Sequence, residues 1–264
     1  MMWSFKFICL FIVIITNTFA ASLIARGVAI GMPFGAIAKP GFAFDNIGFY
    51  FSEPGGSEPS TNVMSEVVAV EYTPKTRWLD NQFHFVFAPS VAWAKGPTIG
   101  QSWHFGTASP LLLGGLTHEI APGIGFSNMV GGMAPLRSGV VQHDEWVFAN
   151  VSSLSYTRDD YNVTFVVIYG HPGKELSNNI KVRPNFLNMD FTATRKLSGI
   201  EIGPIWYSSQ DLNTSFNQQQ LAVGGLVGFD VAGWIFQFWL GHDLYAYGYP
   251  QQMMNGYFRL KTSF

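Results

Sequence analysis

The sequence predicts an all-β protein: an antiparallel transmembrane β-barrel of the outer-membrane type, with about twelve strands. Three observations predict it. Charge is sparse while rings are abundant. Apolar residues alternate with period two almost to the last residue. The faces opposite the rings carry Asn, Gln, Thr, Ser and Gly rather than Lys, Glu and Arg.

The chain has 264 residues, of which 48% are hydrophobic, 16% aromatic and 12% charged. An ordinary soluble domain carries about 25% charged residues, and a chain this long has core enough that size does not account for the deficit. Beyond the N-terminus no stretch supplies the ~18 consecutive apolar residues of a spanning helix. The ring content and a net charge of −2 exclude disorder. What remains is apolar surface dispersed in short pieces, the profile of a membrane barrel.

The N-terminal stretch reads as an address. Lys6 precedes the apolar run Phe7 to Ile15, and small or polar residues follow through Thr18 and Ala20. That order is a secretory signal cut near Ala20, which makes 1–20 the leader and 21–264 a single barrel domain. Cys9 is the only cysteine and lies in the leader, so the mature chain has no thiol for disulfides or metal. Without Lys6 the mature chain keeps 14 basic against 17 acidic residues, a net charge of −3 that offers nucleic acid no basic patch.

Strands are expected near 43–52, 63–73, 82–93, 106–117, 123–133, 145–157, 161–170, 187–196, 199–208, 218–229, 233–243 and 256–264. The clearest is the seventh: Tyr161, Val163, Phe165, Val167 and Tyr169 form one apolar face with a ring at each end. Lipid demands that arrangement, aliphatics at mid-depth and Tyr or Trp near the interfaces. Phe83, Phe85, Phe87, Val91 and Trp93 oppose Gln82, His84 and Ser90. Leu187, Met189, Phe191 and Ala193 oppose Asn188, Asp190, Thr192 and Thr194. Trp234, Phe236, Phe238 and Leu240 oppose Ile235, Gln237, Trp239 and Gly241. Reversals are expected at Glu53-Pro54-Gly55-Gly56, Thr73-Pro74-Lys75, Arg158-Asp159-Asp160, His171-Pro172-Gly173 and Asp211-Leu212-Asn213, where turn-forming residues cluster. A soluble sandwich would show the same alternation but carry charge on its outer faces. A barrel inverts that order, with apolar residues outside and a small polar lumen within.

In the last strand Phe258, Leu260 and Phe264 share one face with Gly256 and Thr262. A terminal Phe on an alternating strand resembles the signal by which barrel-insertion machinery recognises its clients, so Phe258, Leu260 and Phe264 are read as the insertion strand. Thr262 departs from that pattern, which favours a larger apolar residue. If this face meets lipid, Arg259 and Lys261 face the lumen. Glu201 and Asp190 are also expected there, and Arg259 and Lys261 are expected to pair with Glu201 or another acidic strand residue, or else to be hydrated by channel water.

Several segments together resemble the outer-membrane proteins associated with the meta-pathway of phenol degradation, the MetA-type transporters. The opening strand Lys39-Pro40-Gly41 through Ser52 is similar to that family's Pro-Gly followed by an aromatic run. Trp146-Val147-Phe148 and the strands to Gly170, Gly199 to Tyr207, Val223 to Asp230, and Gly241-His242-Asp243-Leu244 with the terminal strand continue the likeness. The resemblance implies an outer-membrane transporter or channel for small hydrophobic or aromatic solutes in a Gram-negative envelope. No binding residue is carried over.

Catalysis is weighed against this. His118-Glu119 and His143-Asp144-Glu145 set carboxylates beside imidazoles, but neighbours in a strand point to opposite faces, away from triad geometry. Ser127 and Ser138 lack a nucleophile elbow. No His-Glu-x-x-His and no phosphate-cradling Gly loop occur. The sequons at Asn150, Asn162 and Asn213 read as chance, two of them lying in expected strands. Glycines 224, 225 and 228 read as relief of crowding within a strand. The expectation is therefore no catalytic, cofactor or metal residue, no cofactor, and membrane lipid, the insertion machinery and an unidentified small solute as partners. An outer-membrane lipid hydrolase and a purely structural barrel are the alternatives.

Overall fold

The computed structural model describes residues 24–53, 61–96, 100–136, 143–213, 218–248 and 254–264. The expected leader at 1–20 with Cys9, and Ser138, lie outside them, as does all but Glu53 of the Glu53-Pro54-Gly55-Gly56 reversal.

Thirteen strands form one antiparallel sheet: β1 (Gly41–Glu53), β2 (Thr61–Thr73), β3 (Arg77–Trp78), β4 (Asn81–Gly96), β5 (Gly100–Ala121), β6 (Ile124–Met133), β7 (Val147–Arg158), β8 (Tyr161–Pro172), β9 (Phe186–Leu197), β10 (Ile200–Asp211), β11 (Gln219–Val231), β12 (Trp234–Tyr247) and β13 (Met254–Ser263). Each strand from β4 onward pairs with the next in sequence. β1 pairs with both β2 and β13, and β2 pairs with β4, so the sheet closes on itself. The two-residue β3 merely extends the start of β4, pairing Arg77 with Gln82 and Trp78 with Asn81. The barrel wall therefore has twelve strands. Closure is what a lipid solvent requires, since an open edge would leave backbone groups unpaired in hydrocarbon.

The two rims differ. At one, strands are joined by two-residue reversals with both residues at positive φ: Leu79-Asp80, Asp159-Asp160, Ser198-Gly199 and Ala232-Gly233. These angles match the right-handed twist of the flanking strands. Pro122-Gly123 makes a fifth reversal at this rim, with Gly123 at φ 77°. The reversal expected at Thr73-Pro74-Lys75 comes five residues later, at Leu79-Asp80, because β3 resumes pairing after Pro74. The opposite rim carries the longer connections, including those from β6 to β7 and from β8 to β9.

Alternation sorts the side chains as period two dictates. On β8 the even positions Thr164, Val166, Ile168 and Gly170 are buried, while Tyr161, Val163, Phe165, Val167 and Tyr169 lie outward. On β9 Asn188, Asp190, Thr192 and Thr194 are buried, and on β12 Gln237, Trp239 and Gly241. Outward rings gather into belts. Phe42, Tyr72 and Phe85 stack near the short-turn rim, with centroids 4.8 and 6.5 Å apart. Near the other rim Trp93 lies 5.1 Å from Phe105, and Lys95 sits over the Trp103 ring. An apolar band bounded by such belts is the lipid-facing surface of a transmembrane barrel.

Among the described strands the ladder thins in two places: between β9 and β10, where Gly203 and Pro204 have no partner on β9, and between β2 and β4. β2 and β4 pair through Val67↔Ser90 and again from Val70↔Phe87, with no pairing at Val68 and Ala69. Pro89 stands in that gap and has no N–H to donate. The β4–β5 register also slips there, between Ala88 and Ser90.

Candidate functional site: a plugged lumen with an apolar chamber

Residues 24–38 precede β1 and run inside the barrel. They descend from the level of Asn188 on β9 to that of Gln82 on β4, at the short-turn rim, before Gly41 opens the wall. Nothing in this segment alternates, and it forms no strand. Three overlapping turns, closed by Val28 N–H to Ala25 O, Ile30 N–H to Gly27 O and Met32 N–H to Ala29 O, wind it into a compact coil.

A coil buried in a barrel must have its remaining backbone groups satisfied from the wall. Odd-numbered amides turn toward β9 and β7: Gly27 and Ala29 donate to the two carboxyl oxygens of Asp190, each at 3.0 Å, Gly31 donates to Thr192 Oγ1 at 2.8 Å and Gly35 to Ser155 Oγ at 3.0 Å. Even-numbered carbonyls turn the other way. Arg26 O accepts from the Tyr257 hydroxyl, Val28 O from Arg259 Nη2 at 2.7 Å, and Ile30 O from Arg259 Nη1. Asn188 donates to Ile24 O, and Gln82 both donates to and accepts from the backbone of Ala38 at 2.9 Å. Gly31 suits its place: its φ is 77°, and a Cβ there would lie 2.7 Å from Gln237 Oε1 and push that amide aside. The coil is a plug, moored by side chains of strands far apart in sequence.

Arg259 is the hub of the mooring. Its guanidinium is 1% exposed, lies 3.2 Å from Asp45 on the neighbouring strand, donates to Gln237 Oε1 at 3.0 Å and stacks over the Trp239 ring. Lys261 sits 3.3 Å from Glu71 and 3.9 Å from Asp45. Glu201 is reached by Arg259 only through Gln237, whose amide donates to Glu201 Oε2 at 2.8 Å, and it also accepts from Thr194. Asp190 is 1% exposed and spends both oxygens on the plug. Phe258 and Leu260 lie outward, half-buried among neighbouring side chains, and Phe264 is exposed at the short-turn rim, its amide bonded to Phe42 O.

The expectation of a polar lumen is corrected on one side. Toward β9–β13 the wall mixes Asn188, Asp190, Thr192, Gln237 and Arg259 with buried Ile205, Tyr207, Leu226, Trp239 and Tyr257. Toward β1–β8 it offers Ile47, Val67, Ala69, Val86, Ala88, Leu111, Leu113, Val151 and Ile168, and the plug turns Ile24, Val28, Met32 and Phe34 to meet them. Between the two lies an apolar chamber of about 80 Å³. Here strands read as alternating apolar with apolar, or apolar with small, because both faces meet hydrocarbon. That is why counting polar residues on one face missed the chamber. The plug was missed for a related reason, although Gly27, Gly31 and Gly35 recur at intervals of four in an apolar stretch with no strand alternation.

Groups weighed for catalysis are dispersed among the described residues. Ser127 is buried on the lumen side and its hydroxyl makes no hydrogen bond. His84 faces Thr73, His118 is exposed, and Glu119 caps the Gly123 amide. His143 and Glu145 belong to a loop cluster at the long-loop rim: the His143 ring bonds Glu145 O at 3.1 Å, and Glu145 pairs with Arg183 at 2.8 Å. Burial pushes the His143 imidazole below its ordinary range, against the opposing pull of Glu145. Glu66, by contrast, lies on the outer face of β2, opposite Gly48, where Asn46 donates to it at 2.5 Å.

No family model matches the chain, and no curated protein matches it. Solved structures do. The COG4313 outer membrane channel from Pseudomonas putida F1 superposes with a TM-score of 0.72 at 10% identity, over 89% of this chain and 98% of that one. The fold is that of an outer-membrane β-barrel. The TodX deltaS2S3 mutant monoaromatic hydrocarbon channel follows with a TM-score of 0.52 at 9% identity, covering 92% of this chain and 94% of that one. The CymD monoaromatic hydrocarbon channel gives 0.51 at 8% identity, over 86% and 89%. At these identities the likeness is one of architecture.

Proposed function

We propose that this chain is a channel of the Gram-negative outer membrane for small hydrophobic or aromatic solutes, held shut by its own N-terminal segment. The observation that carries the reading is the apolar chamber. A channel for hydrophilic solutes lines its lumen with polar groups, whereas this one keeps an apolar compartment beside the plug. An engineered cavity of ~150 Å³ lined by Leu, Ile and Phe stays dry and takes benzene. The chamber here is smaller, about 80 Å³, and two of the side chains that line it, Met32 and Phe34, belong to the plug. One of the two thin places in the ladder lies at Ala69 and Ala88, two chamber residues, so the chamber is separated from lipid there by little hydrogen-bonded wall.

The likeness to channels described as carrying monoaromatic hydrocarbons supports the same solute class, and so does the resemblance to MetA-type transporters. On this reading 1–20 is the export leader, 21–264 the barrel, and Phe258, Leu260 and Phe264 the strand presented to the insertion machinery. Vesicles of outer-membrane lipid containing the protein test it. They should take up toluene or xylene faster than empty vesicles, with little swelling in sugars. Rapid sugar flux with no hydrocarbon uptake would replace the reading with that of a general porin, and lipid hydrolysis without flux would favour the enzyme.

A further inference from the structure

We infer that Glu71, held by Lys261 from outside the chamber lining, forms the specificity-determining polar end of the chamber, and that its preferred solutes are neutral apolar molecules carrying a hydroxyl group. The inference rests on the channel reading above. Fifteen residues line the chamber, and Glu71 is the one among them with a polar side chain. Its carboxylate is therefore the point at which an apolar solute inside can make a hydrogen bond.

The ion pair there is loose. Lys261 Nζ lies 3.3 and 3.4 Å from the two Glu71 oxygens, against 2.7–2.9 Å for a tight charge-assisted contact. A solute hydroxyl in the chamber can donate to Glu71, whose long contacts to Lys261 leave its oxygens free to accept a second hydrogen bond. Charge balance selects against ions. Asp45, Glu71, Arg259 and Lys261 form one chain of contacts and their formal charges cancel. These four side chains are 0%, 16%, 1% and 24% exposed, so an added ammonium or carboxylate would enter a poorly solvated, already neutral cluster without a free counter-charge. A hydroxyl adds no charge. An apolar molecule without one leaves the Glu71 pair as it stands and gains nothing from it.

The test uses the full mature protein in lipid nanodiscs and four probes with one ring: methylcyclohexane, cyclohexanol, cyclohexylamine and cyclohexanecarboxylate. Affinities are measured by ligand-observed NMR titration. Cyclohexanol is expected to bind ten- to a hundredfold more tightly than the other three, after correction for partition into empty nanodiscs. Glu71→Gln and, independently, Lys261→Met should reduce that preference over methylcyclohexane severalfold while leaving methylcyclohexane binding in place. Equal binding of cyclohexanol and methylcyclohexane to the parent protein overturns the inference and spares the channel reading. Preference for the amine or the acid overturns it as well. Binding of none of the four removes the channel reading and the inference with it.

Discussion

Asp190 offers the cleanest way to loosen the plug. Its two oxygens take the amides of Gly27 and Ala29, both at 3.0 Å, and it has no cation within ion-pair distance among the described residues. Replacing it strands no buried counter-charge, unlike a change at Arg259. Asp190→Asn keeps one acceptor but turns a donor toward an amide that is itself a donor, which removes one bond. Asp190→Ala removes both. A hydrogen bond of this kind contributes about 1–3 kcal/mol, and 1.4 kcal/mol is tenfold in an equilibrium, so Asn should raise the plug-out population by roughly five- to a hundredfold. Ala should raise it further. Planar-bilayer recording reads this directly: rare openings in the parent, more frequent openings of the same unit conductance in Asp190→Asn, and near-continuous conductance in Asp190→Ala. Unchanged open probability in Asp190→Ala, with the barrel still folded by heat-modifiable gel mobility, would refute the assignment of 24–38 as a plug moored at this carboxyl.

Three further expectations follow from other parts of the wall. Arg259→Met leaves Asp45 buried with Lys261 alone, and should lower barrel stability by about 3–5 kcal/mol in urea titrations in vesicles. Asp45→Asn combined with Arg259→Met should recover much of that loss, and strict additivity of the two single changes would contradict the pairing. Glu66→Leu removes a carboxyl from the lipid-facing surface and should stabilise the barrel in a bilayer by about 1 kcal/mol, with destabilisation counting against the outward placement. For His143 the folded value lies below the unfolded one, so its contribution to stability is full above pH ~6.5 and is lost as pH falls through that value toward the folded one. Hydrogen-exchange protection, corrected for the intrinsic pH dependence, should therefore fall in the 134–136, 143–146 and 173–185 segments on acidification, and His143→Gln should flatten the response.

The outward half of this protein is legible in its sequence because lipid imposes one rule on every strand. Tyr161 to Tyr169 alternates with apolar rings at both ends for no reason local to β8, and the coordinates put those rings outside. Strand number and the faces of β4, β9 and β12 follow from the same rule. The inward half is less legible. A lumen is bounded by residues from twelve strands and by whatever fills it, so Val86, Leu113, Val151 and Ile168 read simply as strand residues until closure brings them together around the plug. Arg259 and Lys261 were readable as inward by parity alone. Their partners Asp45 and Glu71 depend on β1 closing against β13, a pairing between residues more than 200 positions apart that no local pattern encodes.

Spin-label accessibility along β8 and the plug tests the central geometry most directly. Labels placed singly at Val163, Phe165 and Val167 in the bilayer-embedded protein should collide freely with oxygen dissolved in lipid. Labels at Thr164, Val166 and Ile168 should be shielded from it, and a label at Met32 should meet neither oxygen nor a water-soluble relaxant. High oxygen collision at the even positions, or a Met32 label freely reached by the water-soluble relaxant, would contradict a barrel whose rings face lipid and whose lumen is filled by its own N-terminal segment.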